Sequence, residues 1–284
     1  MTQRMSVIAK MRMLGATISA VQYWIGWAWR IYRLASTAQD RVSITRFILL
    51  RGLSRYMKQG DTMIYLDGAK YCIGVRTREI DTLLELRNDR VYDRVREFIP
   101  SMGWVVFDIG ANVGMFTVQQ ARRGAKVYAF EPNPDVYKRL VQTVVANGVT
   151  DTVQTFQYAL GSTPGIGAFR VPLGMTTLGS VISTVSSDDN IVVRVDITSL
   201  DYILPPDITR IDLLKIDVEG AEVEVLQGAI RTLKIVQRLI IECHSPDLLK
   251  QVIAFLDKRD FYCETHMDTN TEAGVDLVYA VRIP

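Results

Sequence analysis

Val106-Phe107-Asp108-Ile109-Gly110-Ala111-Asn112-Val113-Gly114 is the stretch whose reading decides how this chain folds. Trp104–Phe107 is a continuous apolar run, the pattern of a strand buried on both faces. Val113–Arg123 reads as a helix closed by Gly124. A strand that passes through a glycine-flanked turn straight into a helix opens a βαβ unit. Working outward, Lys126–Phe130 reads as the next strand and Pro134–Ala146 as the next helix, ending at Asn147-Gly148. Val153–Leu160 reads as a third strand, residues 161–190 as a Gly/Ser/Thr-rich loop, and Ile191–Val195 as a short β-branched strand. Asp212–Ile216 is apolar around Lys215, Val218–Thr232 reads as a helix, Arg238–Ile241 as a strand and Pro246–Lys258 as a helix. Phe261–Thr265 and Gly274–Arg282 suit a closing antiparallel pair. Upstream, Thr62–Leu66 and Tyr71–Val75 flank Asp67-Gly68, a hairpin signal, and residues 80–98 read as a helix stopped by Pro100. Repeated βα units imply an α/β fold with a doubly wound, mostly parallel sheet. Ligands of such sheets bind beyond the carboxyl ends of the strands.

The turn itself narrows the ligand. Gly110 and Gly114 allow tight turning and close backbone approach, with the helix amino end ahead. A dinucleotide fingerprint needs a glycine where Asn112 stands, and Asp108 at the strand end repels a pyrophosphate. An acid there suits an ammonium group. Glu131, seventeen residues beyond Gly114, ends the second strand, where a carboxylate accepts both hydroxyls of a ribose. A nucleoside without phosphate that carries an ammonium group describes S-adenosylmethionine (SAM). The bland alternative is that Asp108 and Glu131 only cap helices.

Three blocks resemble the FkbM family of SAM-dependent methyltransferases: Phe107–Phe116 with Phe130–Asn133; Val195–Leu200 leading into Leu213–Glu222; and Ile240-Ile241-Glu242-Cys243-His244. The resemblance covers about residues 100–245 and implies a class I methyltransferase (Rossmann-like) fold. It also implies O-methylation of a hydroxyl on a sugar, glycolipid or related natural product. Carried over by position, Asp108, Gly110, Ala111, Asn112 and Gly114 form the SAM loop. Glu131 is the ribose acid, Asn133 lies beside the adenosine, and Ala159 lies at the adenine edge. Asp217, Glu242 and His244 face the methyl group across the same cleft.

Methyl transfer from a sulfonium needs positioning and a route for the hydroxyl proton. His244, with the reference pKa best matched to neutral pH, is the expected general base; a structural histidine is its bland reading. Asp217 orients the hydroxyl or stabilises the sulfonium, and Glu242 orients His244 or binds substrate hydroxyls. No metal ligand is assigned; Mg²⁺ held by Asp217 and Glu242 is the alternative. Glu219 suits either a substrate contact or the helix dipole. In the 161–190 loop, Thr176, Thr177, Ser180 and Ser183 suit either a substrate lid or an exposed hairpin. An amino-group methyltransferase is the competing enzyme, but its Asn/Asp-Pro-Pro-Tyr/Phe block is replaced here by Asp217-Val218-Glu219-Gly220. A membrane-tethered SAM-binding module without catalysis is the non-enzyme alternative.

Composition sets the outer limits. The 284 residues are 48% hydrophobic, enough for a core and unlike a disordered chain. Three widely spaced cysteines, Cys72, Cys243 and Cys263, make no zinc or disulfide framework and suit a reducing, cytoplasmic setting. Two histidines exclude a multi-histidine metal site. Charge divides the chain into a 1–60 extension and a 61–284 methyltransferase domain. Residues 1–60 hold ten basic side chains and one acid, a net +9, whereas the remaining residues hold 23 and 30, a net −7. Residues 13–29 carry no charge and include Trp24, Trp27 and Trp29, with Lys10, Arg12, Arg30 and Arg33 flanking them. The pattern suits a helix lying on an anionic membrane surface, which would place the protein peripherally on the inner face. A helix packed on the domain or joining a homo-oligomer is the alternative, and a signal peptide or true span fits less well. No nucleic-acid motif accompanies the basic charge, so no nucleic-acid partner is expected.

Overall fold

The Trp104–Phe107 apolar run lies in the middle of the fold. A computed structural model describes residues 22–33, 35–54, 60–77, 79–80, 83, 91–172, 181–182, 190–268 and 275–283. Helix α1 (Ala38–Leu53) precedes the hairpin β1 (Asp61–Leu66) and β2 (Ala69–Gly74). Then come β3 (Val105–Ile109), α2 (Met115–Arg122), β4 (Lys126–Phe130), α3 (Pro134–Ala146) and β5 (Val153–Phe156). Four short strands and a helical turn follow: β6 (Ala159–Leu160), β7 (Gly165–Pro172), β8 (Val181–Ile182), β9 (Asn190–Thr198) and α4 (Leu200–Ile203). The chain closes with β10 (Leu213–Ile216), α5 (Glu222–Gln227), β11 (Arg238–Cys243), α6 (Pro246–Asp257), β12 (Phe261–Asp268) and β13 (Val275–Arg282).

Seven strands form the main sheet in the order β12-β13-β11-β10-β3-β4-β5. β13 runs antiparallel to β11 and β12, while β11, β10, β3, β4 and β5 pair in parallel. Strand order reverses between β3 and β10, so the crevice for a ligand opens at their carboxyl ends. Period-2 alternation sorts the side chains to two faces. Phe107, Ile109, Leu214 and Ile216 pack with Val225 and Leu226 of α5 and Val252 and Leu256 of α6. Val106, Val127, Leu213 and Ile240 pack with Phe116 of α2 and Leu140 of α3.

Four sequence expectations are corrected. β5 stops at Phe156, because its neighbour β4 runs into Pro132, which has no N–H to extend the ladder. Ala159–Leu160 instead pairs with Ile197–Thr198 in a second sheet. Residues 165–172, 181–182 and 190 of the 161–190 segment belong to that sheet, ordered β6-β9-β7-β8, with β7 and β9 paired antiparallel over eight residues each. Thr176, Thr177, Ser180 and Ser183 lie outside the described residues. The helix after β10 begins at Glu222 rather than Val218, because Glu219 and Gly220 have φ of 54° and 110°. Residues 91–93 and 96–98 are separate 3-10 turns, not the end of one helix, since Val95 between them is extended.

Residues 22–32 are helical, and α1 follows after a capping box made by Thr37 and Asp40. Trp27, Ile31, Ile44 and Phe47 are buried against Ile64, Leu66 and Ile73 of the hairpin and Val113, Met115 and Val118 around α2. The packing therefore runs across residue 60 without a break. The opposite side of the same helices leaves Trp24, Ile25, Trp29, Val42, Leu49 and Leu53 exposed. Among the described residues no helix is long and apolar enough to cross a membrane; residues 13–21 of the uncharged run lie outside them.

Candidate active site

The Gly110–Gly114 turn leaves β3 at the carboxyl edge of the sheet. Gly110, Asn112 and Gly114 all have left-handed backbone, with φ of 79°, 51° and 88°. Gly110 has no substitute: a Cβ there would stand 1.8 Å from the Asp217 carbonyl oxygen. Asn112 tolerates its conformation because its Oδ1 accepts the Val113 N–H at 2.7 Å. The Gly110 and Ala111 N–H groups both donate to the Phe130 carbonyl, at 3.0 and 2.9 Å, tying the turn to the end of β4.

Glu131 sits against that turn, almost fully buried. Its Oε1 accepts the Asn133 N–H at 2.9 Å and its Oε2 the Asn112 N–H at 3.1 Å. Burial pushes its carboxyl up to about 7, against the pull of those two N–H groups. Each oxygen keeps a lone pair for a diol. Asn133 spends its side chain on capping α3, accepting from Asp135 N–H at 3.0 Å. Ala159 is buried in β6, beside Ile197 rather than on the main sheet.

Asp108 is buried beneath the turn. One carboxylate oxygen accepts from Thr117 Oγ1 at 2.5 Å, and the other faces Lys215 Nζ at 3.1 Å. Asp108 thus meets the ammonium group of Lys215. Lys215, its register partner on β10, also donates to the Gly110 carbonyl at 3.0 Å and reaches Asp217 Oδ2 at 3.3 Å. Burial pulls its pKa down, but Asp108 and Asp217 outweigh it and hold the ammonium above the ordinary lysine range.

Asp217, Glu242 and His244 are brought together at the ends of neighbouring strands β10 and β11. His244 Nε2 lies 3.3 Å from Glu219, 3.8 Å from Asp217 and 3.9 Å from Glu242, while Nδ1 lies 2.8 Å from Glu222 Oε1. Burial pulls the imidazole down, but the Glu222 hydrogen bond and the charges of Asp217, Glu219 and Glu242 push it up to about 10. Those neighbours favour the charged imidazolium over the neutral ring. Glu242 is pushed up to about 8, by burial first and then by Asp217.

Sequence reasoning missed Tyr92. Its hydroxyl donates to Glu242 Oε2 at 2.8 Å and lies 3.2 Å from Asp217 Oδ2. Its ring meets Phe116 edge-on at 5.2 Å. Nothing local marks it, because its partners are 150 and 125 residues away. Glu222 and Lys215 were visible as motif residues, but not as the supports of His244 and of the turn.

A doubly wound sheet with one antiparallel strand near its edge, and a glycine turn beside a buried acid at its switch point, make up the architecture of a class I methyltransferase domain. The chain belongs to the methyltransferase FkbM domain family, whose model matches residues 108–263, and so to the SAM-dependent methyltransferases. It is 30% identical over 141 residues to the hexuronic acid methyltransferase AglP of Haloferax volcanii, a match covering 50% of this chain and 56% of that protein. The chain thus spans little more than half the length of that relative. The methyltransferase sdnD of Sordaria araneosa is 30% identical over 209 residues, covering 62% of this chain and 80% of its own. An rRNA methylase structure from Streptococcus thermophilus superposes with a TM-score of 0.44 at 14% identity, covering 66% of this chain and 92% of that one.

Proposed function

We propose that the protein transfers a methyl group from SAM to a hydroxyl of a sugar, glycolipid or related small molecule. One observation carries this reading: Glu131 and the Gly110–Gly114 turn face the same strand ends as the Asp217, Glu242 and His244 cluster. The first group suits the nucleoside and the second the transfer end. In that arrangement Glu131 accepts the ribose hydroxyls and the carboxylates beside the sulfonium favour its positive charge. The acceptor oxygen attacks the methyl carbon as the carbon–sulfur bond breaks, and the hydroxyl proton passes to a carboxylate of the cluster. The likeness to AglP supports a sugar acceptor. The test is transfer of labelled methyl from SAM into cell lipid and polysaccharide extracts, with Asp217→Asn as control. Label in a saccharide is the expected result; label confined to RNA or protein overturns the acceptor class.

We further infer that residues 22–54 rest on an anionic membrane. A groove lined by Tyr32, Arg41, Val42, Arg46, Leu49 and Leu53 combines apolar surface with cationic rims, and Trp24 and Trp29 stand exposed nearby in sequence. Tryptophan and arginine together suit the headgroup layer. Flotation with anionic vesicles, weakened but not abolished by salt, is expected. A protein that stays unbound and dimerises instead assigns the groove to a second copy.

A further inference from the structure

The cluster at the ends of β10 and β11 has more order than a set of acids needs. Each of its three members is held by one atom and keeps another beside those of its neighbours; His244 Nε2 also lies 3.3 Å from Glu219 Oε2. His244 Nδ1 bonds Glu222 Oε1 at 2.8 Å. Glu242 Oε2 accepts the Tyr92 hydroxyl at 2.8 Å, and Asp217 Oδ2 lies 3.3 Å from Lys215 Nζ. The atoms left over, Asp217 Oδ1 and Glu242 Oε1, lie 3.8 and 3.9 Å from His244 Nε2. Those separations are too long for hydrogen bonds. They match donors sharing one ion at about 2.1–2.4 Å, which stand about 3–4.8 Å apart. One ligand atom from each of Asp217, Glu242 and His244 does lie within 4.8 Å of the others.

We propose that Asp217, Glu242 and His244 bind one divalent transition-metal ion of the Mn²⁺ class, with open positions for oxygens of the methyl acceptor. Two carboxylates and one imidazole suit such an ion better than the all-oxygen set preferred by Mg²⁺ or Ca²⁺. A buried carboxylate on the far nitrogen is the usual outer support of a metal-bound histidine, fixing its tautomer and aiming Nε2 outward. Glu222 does this here: it is fully buried, and its Oε2 has no hydrogen-bond partner among the described residues. Five acids, Asp108, Asp217, Glu219, Glu222 and Glu242, lie with Lys215 around the site, and a dication offsets part of that acidic excess. The class of ligand on the open side is an acceptor that chelates through vicinal hydroxyls or a hydroxyl beside a carboxylate, held as on a template. This last point rests on the acceptor reading above; the ion site does not.

The test uses the full chain. Mn²⁺ titration followed by electron paramagnetic resonance reads loss of the free-ion signal, and SAM titration by calorimetry runs on the same samples. One Mn²⁺ bound per chain is expected. Asp217→Asn, Glu242→Gln and His244→Ala should each abolish or strongly weaken it, and Glu222→Gln should weaken it about 10–100-fold. The amide variants keep shape, so the test survives if His244→Ala fails to fold. An undiminished free Mn²⁺ signal, or Mn²⁺ affinity unchanged in the amide variants, overturns the ion site. SAM binding without Mn²⁺ binding overturns the ion site alone. Mn²⁺ binding without SAM binding upholds the ion site and overturns the proposed methyl transfer.

Discussion

Phe47→Ala separates the two faces of the amino-terminal helices. Phe47 is 1% exposed, with its ring centroid 6.3 Å from that of Trp27, and packs among Ile44, Ile64, Leu66 and Ile73. Truncating a buried phenylalanine removes its transfer energy and leaves a cavity, costing about 3–5 kcal/mol. For a domain of this size each kcal/mol lowers Tm by about 2–4 °C, so a drop on the order of 10 °C follows. Leu49→Ala is the matched control: Leu49 lies on the same helix, two residues along, and is 61% exposed. Its loss should change stability by no more than about 0.5 kcal/mol. Thermal unfolding by circular dichroism decides, and vesicle flotation of the same variants adds a second reading. Phe47→Ala should melt early yet float while folded; Leu49→Ala should melt normally and float less. Melting of Phe47→Ala at the wild-type temperature would refute the packing described for α1. The same packing implies that a chain starting at residue 61 aggregates, because Ile64, Leu66 and Val118 lose their cover.

Gly110→Ala should weaken SAM binding, since the new Cβ meets the Asp217 carbonyl at 1.8 Å and left-handed backbone costs a non-glycine residue about 1–3 kcal/mol; calorimetry showing affinity within twofold of wild type would sink this. Glu131 should give SAM affinity a pH dependence. Its carboxyl is raised from 4.5 to about 7, so the folded protein holds a proton across that window that the unfolded chain has lost. Ligand-free stability from this group therefore falls as pH rises from 4.5 to 7, while SAM affinity rises as the ribose acceptor ionises; Glu131→Gln should flatten both trends. Tyr92→Phe removes the hydroxyl that donates to Glu242 and leaves a buried carboxyl oxygen without that donor, a cost of about 1–3 kcal/mol. Turnover should fall by about one to two orders of magnitude with SAM affinity intact; unchanged turnover would make Tyr92 a packing residue.

The βαβ core and the Gly110–Gly114 turn were legible in the sequence because each is local. β3, the turn and α2 occupy consecutive residues, and both the glycines and the two-sided burial of the strand leave marks in composition. Asp217, Glu242 and His244 were legible for the same reason: each ends an apolar run, and parallel neighbours bring such ends together. Of the β6-β9-β7-β8 sheet only the Ile191–Val195 part of β9 was legible; Gly, Ser and Thr mask the alternation of the other strands, whose pairing spans a long excursion. The side of the amino-terminal helices that turns inward could not be read either. Trp27 and Trp29 look alike in sequence, yet one is 8% and the other 61% exposed, which depends on where the hairpin lies. Sequence alone determined which residues stand at the strand ends. Tertiary structure decided their partners and the direction in which their pKa values move: Glu222, Lys215 and Tyr92 reach the cluster from separate elements, and electrostatic environment depends on distance in space rather than along the chain.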